Sequence, residues 1–248
     1  MTNIRIPEDF KDKVVVITGA SSGIGRAIAL EIASRGFLAM YLIGRHRETL
    51  NAVARKAGAG NDRIVCLKAD LTDMRHIHAI AKRVENESGS VDVLIHSAGT
   101  ISLGSVETAS VEDLDSQFQT NVRAPFLLTK ALLPMMKHKN GQIVFINSSA
   151  GLSAKRNVSQ YSATKHALKA LADSLREEIN DFGVRVMSIY PGQTNTPMQA
   201  KIYKEEEKDF RPERLLQPED VASVAVHALC MPRTAEVTDI RIRPMLKN

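Results

Sequence analysis

The stretch VVVITGASSGIG, residues 14–25, decides the fold of this 248-residue chain. Its first four residues are continuously apolar, which is typical of a strand buried on both faces of a parallel sheet. A glycine-rich turn follows at once, and residues 26–33 then carry apolar side chains at helical spacing. Glycines let a backbone approach a pyrophosphate closely, and a helix N-terminus offers free N–H groups. The stretch therefore predicts a strand–turn–helix unit that binds a dinucleotide.

Strand-like and helix-like patterns alternate along the rest of the chain, and we find no linker or internal repeat. We therefore expect one domain, residues 1–248, of the α/β class: a Rossmann-type doubly wound parallel sheet of about seven strands with helices on both faces. Residues 195–217 break the alternation, and we expect this segment to cover the substrate. Its charged run at residues 204–209 is also typical of a solvated helix face, and the two interpretations are compatible. The expected strands are 14–17, 36–43, 63–68, 91–95, 142–146, 184–189 and 236–243, and the expected helices include 47–57, 74–87, 110–139 with a bend near Pro125, 158–182 and 218–231.

Composition excludes several classes of function. The net charge of +5 is small and spread out, so no nucleic-acid partner is expected. No apolar run approaches the roughly 20 residues of a membrane span, and residues 1–13 are too polar for a signal peptide. Cys66 and Cys230 lie in apolar surroundings, which favours two buried thiols and a cytoplasmic location. His76 and His78 point to different helix faces, so we expect no metal site.

The end of the second expected strand bears on the choice of cofactor. A dinucleotide site places an acid there for a ribose 2′-hydroxyl, or an Arg for a 2′-phosphate. This strand ends in GRHR, residues 44–47, and the first acid, Glu48, already lies in the next helix. We expect Arg45 to bind the 2′-phosphate, with Arg47 as the other candidate and a solvated surface arginine as the alternative. Asp70 follows the third strand, where adenine is expected.

The segment YSATK, residues 161–165, is the candidate for proton chemistry. A helix places Tyr161 and Lys165 on one face, one turn apart. A free phenol has a pKa of about 10, and a neighbouring ammonium lowers it by favouring phenolate. A phenol tuned in this way is a general acid or base for an alcohol or carbonyl. The pair alone is common on solvated helices, so the interpretation depends on the rest of the chain.

Together, these motifs resemble the compact form of the short-chain dehydrogenase/reductase family over nearly the whole chain. The family's Ser–Tyr spacing of 13 residues is also kept, since Ser148 lies 13 positions before Tyr161. Three motifs match: the glycine turn at Thr18, Gly19, Gly23, Ile24 and Gly25, the catalytic quartet at Asn121, Ser148, Tyr161 and Lys165, and the Pro-Gly-x-x-x-Thr loop at Pro191, Gly192 and Thr196.

The resemblance implies a mechanism in which NADP(H) exchanges a hydride with a carbonyl or secondary alcohol. Tyr161 would move the proton, Ser148 would hydrogen-bond the reacting oxygen, Lys165 would lower the Tyr161 pKa and hold the nicotinamide ribose, and Asn121 would anchor a water leading to Lys165. The expected cofactor-binding residues are Thr18, Gly19, Ser21, Ser22, Gly23, Ile24, Gly25, Arg45, Asp70, Leu71, Ser97, Ala98, Gly99, Tyr161, Lys165, Pro191, Gly192, Thr194 and Thr196. The expected substrate-lining residues are Ile101, Leu103, Ser148, Ala150, Leu152, Val158, Gln193 and Met198.

Two departures from the family pattern shape the expected function. His96-Ser97 stands where the family has Asn-Asn, and the chain lacks the Asp-Gly-Gly ending of many tetrameric members. The mostly apolar substrate set favours a carbonyl reductase acting on a ketone or aldehyde. Lys155 and Arg156 keep a 3-hydroxy acid dehydrogenase or 3-oxoacyl reductase as an alternative, and a catalytically silent NADP-binding sensor or scaffold is the alternative of another class. The short C-terminus argues against an epimerase or dehydratase. We expect a homotetramer, with a dimer as the fallback.

Overall fold

The computed structural model describes residues 10–58 and 63–246. The prediction that residues 1–13 are not a signal peptide therefore falls mostly outside the described residues. The strands are β1 Val14–Thr18, β2 Ala39–Gly44, β3 Ile64–Lys68, β4 Val93–His96, β5 Gln142–Ile146, β6 Arg185–Pro191 and β7 Asp239–Ile242. The helices are α1 Gly23–Ser34, α2 Arg47–Gly58, α3 Met74–Ser88, α4 Val111–Phe118, α5 Ala124–Lys137, α6 Ser159–Ile179, α7 Pro197–Glu205 and α8 Pro218–Leu229.

The seven strands form one parallel sheet in the order β3-β2-β1-β4-β5-β6-β7. The order reverses at β1, because the chain crosses from the β3 edge back to β4 beside β1. In such sheets the ligand crevice opens at the carboxyl ends of the strands on either side of this reversal. The fold therefore places the site next to the end of β1, where the glycine turn begins.

Helices cover both faces of the sheet, which confirms the doubly wound prediction. Along β1, Val15 and Ile17 enter a core with α1, α2 and α8, whereas Val14 and Val16 enter the core formed with α3, α5 and α6. All five residues of β1 are buried. This two-sided burial explains why the strand reads as a continuous apolar run and not as an alternating one.

One turn of π-helix, Gln119–Arg123, interrupts the long helix expected over residues 110–139 and separates α4 from α5. Pro125 has no N–H for the α-type bond to the carbonyl of Asn121, so the irregularity lies just before the proline. At the start of α4, the Ser110 hydroxyl accepts a hydrogen bond from the Asp113 N–H at 3.1 Å. Turns of π-helix are frequent at functional sites, and this one carries Asn121.

Two predicted elements are shorter than expected. Helix α6 stops at Ile179 and continues only as a 3₁₀ turn, Asn180–Phe182. The last strand, expected over residues 236–243, is confined to β7. The Glu236 carboxylate accepts hydrogen bonds from the Val186 N–H and from the Asn180 amide, both at 2.9 Å. These side-chain contacts take the place of the main-chain ladder expected at the start of the strand, whereas the Ser188 N–H still donates to the Thr238 carbonyl at 2.8 Å.

Residues 195–217 form a looped-out segment that starts and ends at one point. Thr194 pairs with Leu216 as a parallel bridge, and the Asn195 N–H donates to the Leu216 carbonyl at 2.7 Å. We call this pairing the neck. Within the segment, Tyr203 is buried and packs edge-on against Phe210. Only Lys204 and Glu205 of the charged run lie on a helix, because α7 ends at Glu205. Residues of the run form ion pairs at the surface, both on the helix and beyond it.

Two features are absent from residues 10–58 and 63–246. No helix there combines the length and apolar character needed to cross a bilayer. In the same ranges, no three His, Cys, Asp or Glu side chains are grouped as metal ligands.

Candidate active site

A cleft of about 410 Å³ opens at the carboxyl ends of β1, β2, β4 and β5. It runs from the glycine turn to the first turn of α6 and is bounded by the start of α7. Most of the expected cofactor-binding residues meet in its walls although they come from six separate parts of the chain. Those that line it are Gly19, Ser21, Ser22, Gly23, Ile24, Arg45, Asp70, Leu71, Ser97, Ala98, Gly99, Tyr161, Lys165 and Thr196.

Five residues of the expected cofactor set support the cleft from behind and do not line it. The Thr18 hydroxyl accepts hydrogen bonds from the N–H groups of residues 97 and 98, at 3.1 and 3.2 Å. A Cβ on Gly25 would lie 2.5 Å from the carbonyl oxygen of residue 19. Gly192 packs against residues 243 and 244, and Thr194 is buried with its hydroxyl donating to the Gly192 carbonyl. Pro191 ends β6 and is buried.

The glycine turn is held tightly against the end of β4 and the start of α7. Gly19 has a φ of +65°, and a Cβ there would lie 2.7 Å from the Ala98 nitrogen. Gly23 has a φ of +52°, and its Cβ would lie 3.0 Å from the Thr196 methyl carbon. Only glycine fits the first position, because both the conformation and the space exclude a side chain.

The Tyr161 phenol faces the cleft and is hydrogen-bonded with Ser148. Burial raises its pKa to about 12, and the Ser148 hydrogen bond lowers it by a smaller amount. The expectation that Lys165 lowers the Tyr161 pKa is therefore wrong for this structure. The Lys165 Nζ lies 5.6 Å from the Tyr161 ring centre, and desolvation of the phenolate is the largest cause of the shift in the Tyr161 pKa.

Lys165 is 4% exposed and reaches under Tyr161 to the end of β5. Its Nζ donates to the main-chain carbonyl of Ile146 at 3.1 Å. Burial lowers the Lys165 pKa to about 8, because the ammonium form loses solvation. The lysine is thus held by a hydrogen bond, and its pKa lies close to neutral pH.

Asn121 ties the π-helical turn to the loop after β4. Its Oδ1 accepts from the Thr100 N–H, and its Nδ2 donates to the Thr100 carbonyl, both at 2.9 Å. Nδ2 also donates to the Thr164 hydroxyl at 3.0 Å. Both amide hydrogens are therefore used by protein groups. A water leading from this side chain to Lys165, as the resemblance implies, remains a prediction.

The adenine end of the cleft carries the expected charges. Arg45 is exposed and lines the cleft, whereas Arg47 does not line it and lies near Cys66. The pKa of Asp70 is lowered chiefly by hydrogen bonds from the N–H and hydroxyl of Thr72, with a further contribution from the Arg45 charge. Arg45 is therefore the better placed of the two candidate arginines.

Most of the expected substrate-lining residues lie outside this cleft. Of the expected set, only Met198 lines it. Ser148 does not line the cleft but is hydrogen-bonded to Tyr161, which does. Val158 pairs with Gly104 as a parallel bridge, and Gln193 accepts a hydrogen bond from the Tyr203 hydroxyl at 3.2 Å. The remaining members, which do not line the cleft, are Ile101, Leu103, Ala150 and Leu152.

Sequence reasoning missed several residues of the cleft wall. Ser116 and Thr120 lie one helical turn apart, so their spacing was a usable signal. Asn147 directly follows β5, and the rule that ligands bind at strand ends pointed to it. The additional lining residues are Gly44, Ala69, Thr72, Thr100, Ser116, Thr120, Ile146, Asn147 and Pro197.

His96 fills the position of the family's first asparagine by packing and by one hydrogen bond. Its ring stacks on Phe145 at 4.9 Å, and its Nε2 lies 2.8 Å from the Thr129 hydroxyl. Burial lowers the His96 pKa to about 3, so the ring is neutral near pH 7. The neighbouring Ser97 keeps its place through the main-chain hydrogen bond to Thr18.

Comparison with known proteins agrees with this geometry. The family described as short chain dehydrogenase matches residues 13–207. An uncharacterized oxidoreductase of Staphylococcus epidermidis is 33% identical over 236 residues, covering 95% of this chain and 98% of its own length. The chain belongs to the short-chain dehydrogenase/reductase family and is an oxidoreductase.

Solved structures of the same fold include cofactor complexes. The alcohol dehydrogenase of Thermococcus sibiricus, complexed with 5-hydroxy-NADP, has a TM-score of 0.87 and 26% identity and covers 96% of this chain and 99% of its own. The L-sorbose reductase of Gluconobacter frateurii, complexed with NADPH and L-sorbose, has a TM-score of 0.86 and 28% identity, with 95% and 97% coverage. Both are similar to this chain over nearly their whole length.

Proposed function

We propose that this protein is an NADP(H)-dependent carbonyl reductase that acts on ketones or aldehydes. The observation that carries the proposal is the single cleft that joins Arg45 at one end to Tyr161 and Lys165 at the other. The positive charge lies where a 2′-phosphate is expected, and the proton donor lies where the reacting carbonyl is expected.

The cleft fits a dinucleotide phosphate on structural grounds. The Gly19 and Gly23 positions leave room for a close backbone approach, and the N-terminus of α1 faces the cleft. No acidic residue follows β2 before Glu48, so the end of this strand offers no carboxylate for a ribose 2′-hydroxyl. Arg45 supplies a guanidinium, which matches a phosphate in shape and charge.

The bound cofactor would supply the hydride, and the protein groups would handle the proton. Tyr161, with a pKa of about 12, keeps its proton at neutral pH and donates it to the oxygen of the reduced carbonyl. Ser148 hydrogen-bonds the same oxygen and stabilises its developing charge. Lys165 would bind the ribose of the nicotinamide half of the cofactor and help to return a proton to Tyr161.

The substrate class rests on the character of the segment around the cleft. Met198 and Pro197 line it and are apolar, while Lys155 and Arg156 are exposed. An uncharged ketone or aldehyde with a hydrophobic body is therefore the proposed substrate. A 3-hydroxy acid dehydrogenase remains the alternative, since exposed cations at residues 155 and 156 are available to a carboxylate.

We also propose that the protein self-associates through α5 and α6 and acts in the cytoplasm. A groove of about 980 Å³ runs between these helices, with Phe126 50% exposed and Phe182 49% exposed. An exposed apolar surface of this kind favours a protein partner, and a second copy of the chain is the occupant proposed here. The edge strand β7 is the proposed second contact of a tetramer.

The test is an assay at the nicotinamide absorbance band with a carbonyl panel and both NADPH and NADH. We expect reduction of uncharged ketones or aldehydes with NADPH, falling when the substrate carries a carboxylate. Faster oxidation of 3-hydroxy acids than reduction of any uncharged carbonyl would support the alternative. Tight NADPH binding without turnover of any compound would support a silent sensor.

A further inference from the structure

Asn147 lies between two of the catalytic residues and touches the main chain of both. Its Oδ1 accepts a hydrogen bond from the Ser148 N–H at 2.9 Å, and its Nδ2 donates to the Lys165 carbonyl at 3.1 Å. The amide orientation is fixed, because an N–H only donates and a carbonyl only accepts. One side chain thus joins the end of β5 to the first turns of α6.

The side chain has little freedom to adopt another position. Asn147 is 4% exposed, and its own N–H donates to the Ile189 carbonyl at 2.8 Å, which extends the pairing of β5 with β6. A Cβ on Gly151 would lie 2.6 Å from Asn147 Oδ1 and 2.9 Å from the Lys165 carbonyl oxygen. The turn after Ser148 therefore closes over the amide at van der Waals distance.

We propose that Asn147 is a positioning residue that sets the distance between Ser148 and the Tyr161–Lys165 pair. Ser148 lies in the turn that follows β5, whereas Tyr161 lies on α6, and the two side chains must act on one oxygen atom. The two hydrogen bonds of the Asn147 amide go to the Ser148 N–H and to the Lys165 carbonyl, and the sheet holds its main chain. This inference rests on the proposed carbonyl reductase activity.

The test compares Asn147→Asp with Gln142→Glu. Gln142 lies at the other end of β5, is 9% exposed, and donates its amide to the Leu229 carbonyl at 3.0 Å. Both variants replace a buried amide by an acid facing a helix carbonyl. We expect Asn147→Asp to lower kcat about 100-fold, the effect of misplacing reacting groups by about 1 Å. We expect Gln142→Glu to leave kcat within about threefold of wild type, since it lies far from the reacting groups.

A second readout separates positioning from a general loss of stability. An acid at residue 147 brings negative charge to Lys165, so the pKa of this lysine rises from about 8 and its amine becomes less reactive. Acetylation of Lys165 at about pH 8, read by mass spectrometry, should slow in Asn147→Asp and not in Gln142→Glu. Equal losses of kcat in the two variants, with unchanged Lys165 acetylation, would overturn the proposal. If the wild type reduces no carbonyl, the proposed function fails, and the acetylation rates still decide the placement of Lys165 by Asn147.

Discussion

The Lys165 ammonium donates to the main-chain carbonyl of Ile146 at 3.1 Å, so the end of β5 determines where the positive charge under Tyr161 lies. The contact joins the central sheet to the helix that carries the proton donor. Burial of the lysine lowers its pKa to about 8, because the ammonium form loses solvation. The charge of this residue is therefore expected to change within the pH range in which the enzyme is assayed.

The first prediction concerns pH. Carbonyl reduction should weaken as the pH rises through about 8, because Lys165 loses its charge while Tyr161, with a pKa of about 12, keeps its proton. Lys165→Arg stays charged over this range, so any activity that it retains should lack this decline. The measurement is kcat/KM against pH for both proteins. A decline at the same pH in the arginine variant would assign it to another group.

The second prediction concerns the proton donor. Tyr161→Phe should abolish turnover and leave NADPH affinity nearly unchanged, because only the phenol proton is removed. Tyr41→Phe is the matched control: its hydroxyl contacts Ser88 at 2.7 Å, away from the cleft. The control should keep its activity. A Tyr161→Phe enzyme with more than about a tenth of the wild-type rate would place the proton donor elsewhere.

The third prediction concerns cofactor choice. Arg45→Asp should reverse the preference from NADPH to NADH, because a carboxylate repels a 2′-phosphate and accepts from a free 2′-hydroxyl. Loss of a charge-assisted contact is worth roughly 1.5–3 kcal/mol, or about 10- to 150-fold. Arg47→Asp makes the same change outside the cleft wall and should keep the NADPH preference. Reversal by Arg47→Asp alone would transfer the role to that residue.

The fourth prediction concerns acid stability. His96 has a folded-state pKa of about 3 against 6.5 for an ordinary histidine, so between these values the unfolded chain binds one more proton. Its free energy of unfolding therefore falls by about 1.4 kcal/mol per pH unit as the pH drops below 6.5. Urea unfolding of His96→Asn should lose this part of the slope. The exposed His76→Asn should not, and equal slopes in all three proteins would contradict the assignment.

The fifth prediction concerns assembly. Phe126→Glu places a charge in the groove between α5 and α6 and should convert the oligomer to monomer, as measured by light scattering at micromolar concentration. Leu38→Glu is the control, because Leu38 is exposed to a similar degree, 49%, outside the groove. A wild-type protein that is already monomeric would exclude both the tetramer and the dimer.

The sequence predicts best where local conformation and chemistry coincide. The glycine turn was predictable because the backbone conformation at Gly19 demands that residue, and Tyr161 and Lys165 because helical spacing places them on one face. The Tyr161 pKa was predicted in the wrong direction, because the burial that raises it depends on the tertiary packing around the phenol. No periodicity in the sequence measures that burial.

The role proposed for Asn147 and the paths of the loops near the expected substrate residues were not predictable for a related reason. Asn147 and Lys165 are in contact although they lie 18 positions apart in sequence. The place of Val158 in a substrate pocket stays a prediction, and its main chain pairs with Gly104 of a distant loop. Strand ends indicate where a ligand binds, whereas the paths of the loops above them depend on pairings that span the whole chain.

The neck formed by Thr194 and Leu216 gives the segment between them a modular character. Because main-chain bonds close the segment at its base, its interior can change in length or sequence without altering β6 or α8. Each doubling of a flexible loop adds only about 0.6 kcal/mol to its closure cost. The neck is therefore a natural junction for transplanting segments from other members of the family, while the strands and the residues Ser148, Tyr161 and Lys165 stay unchanged.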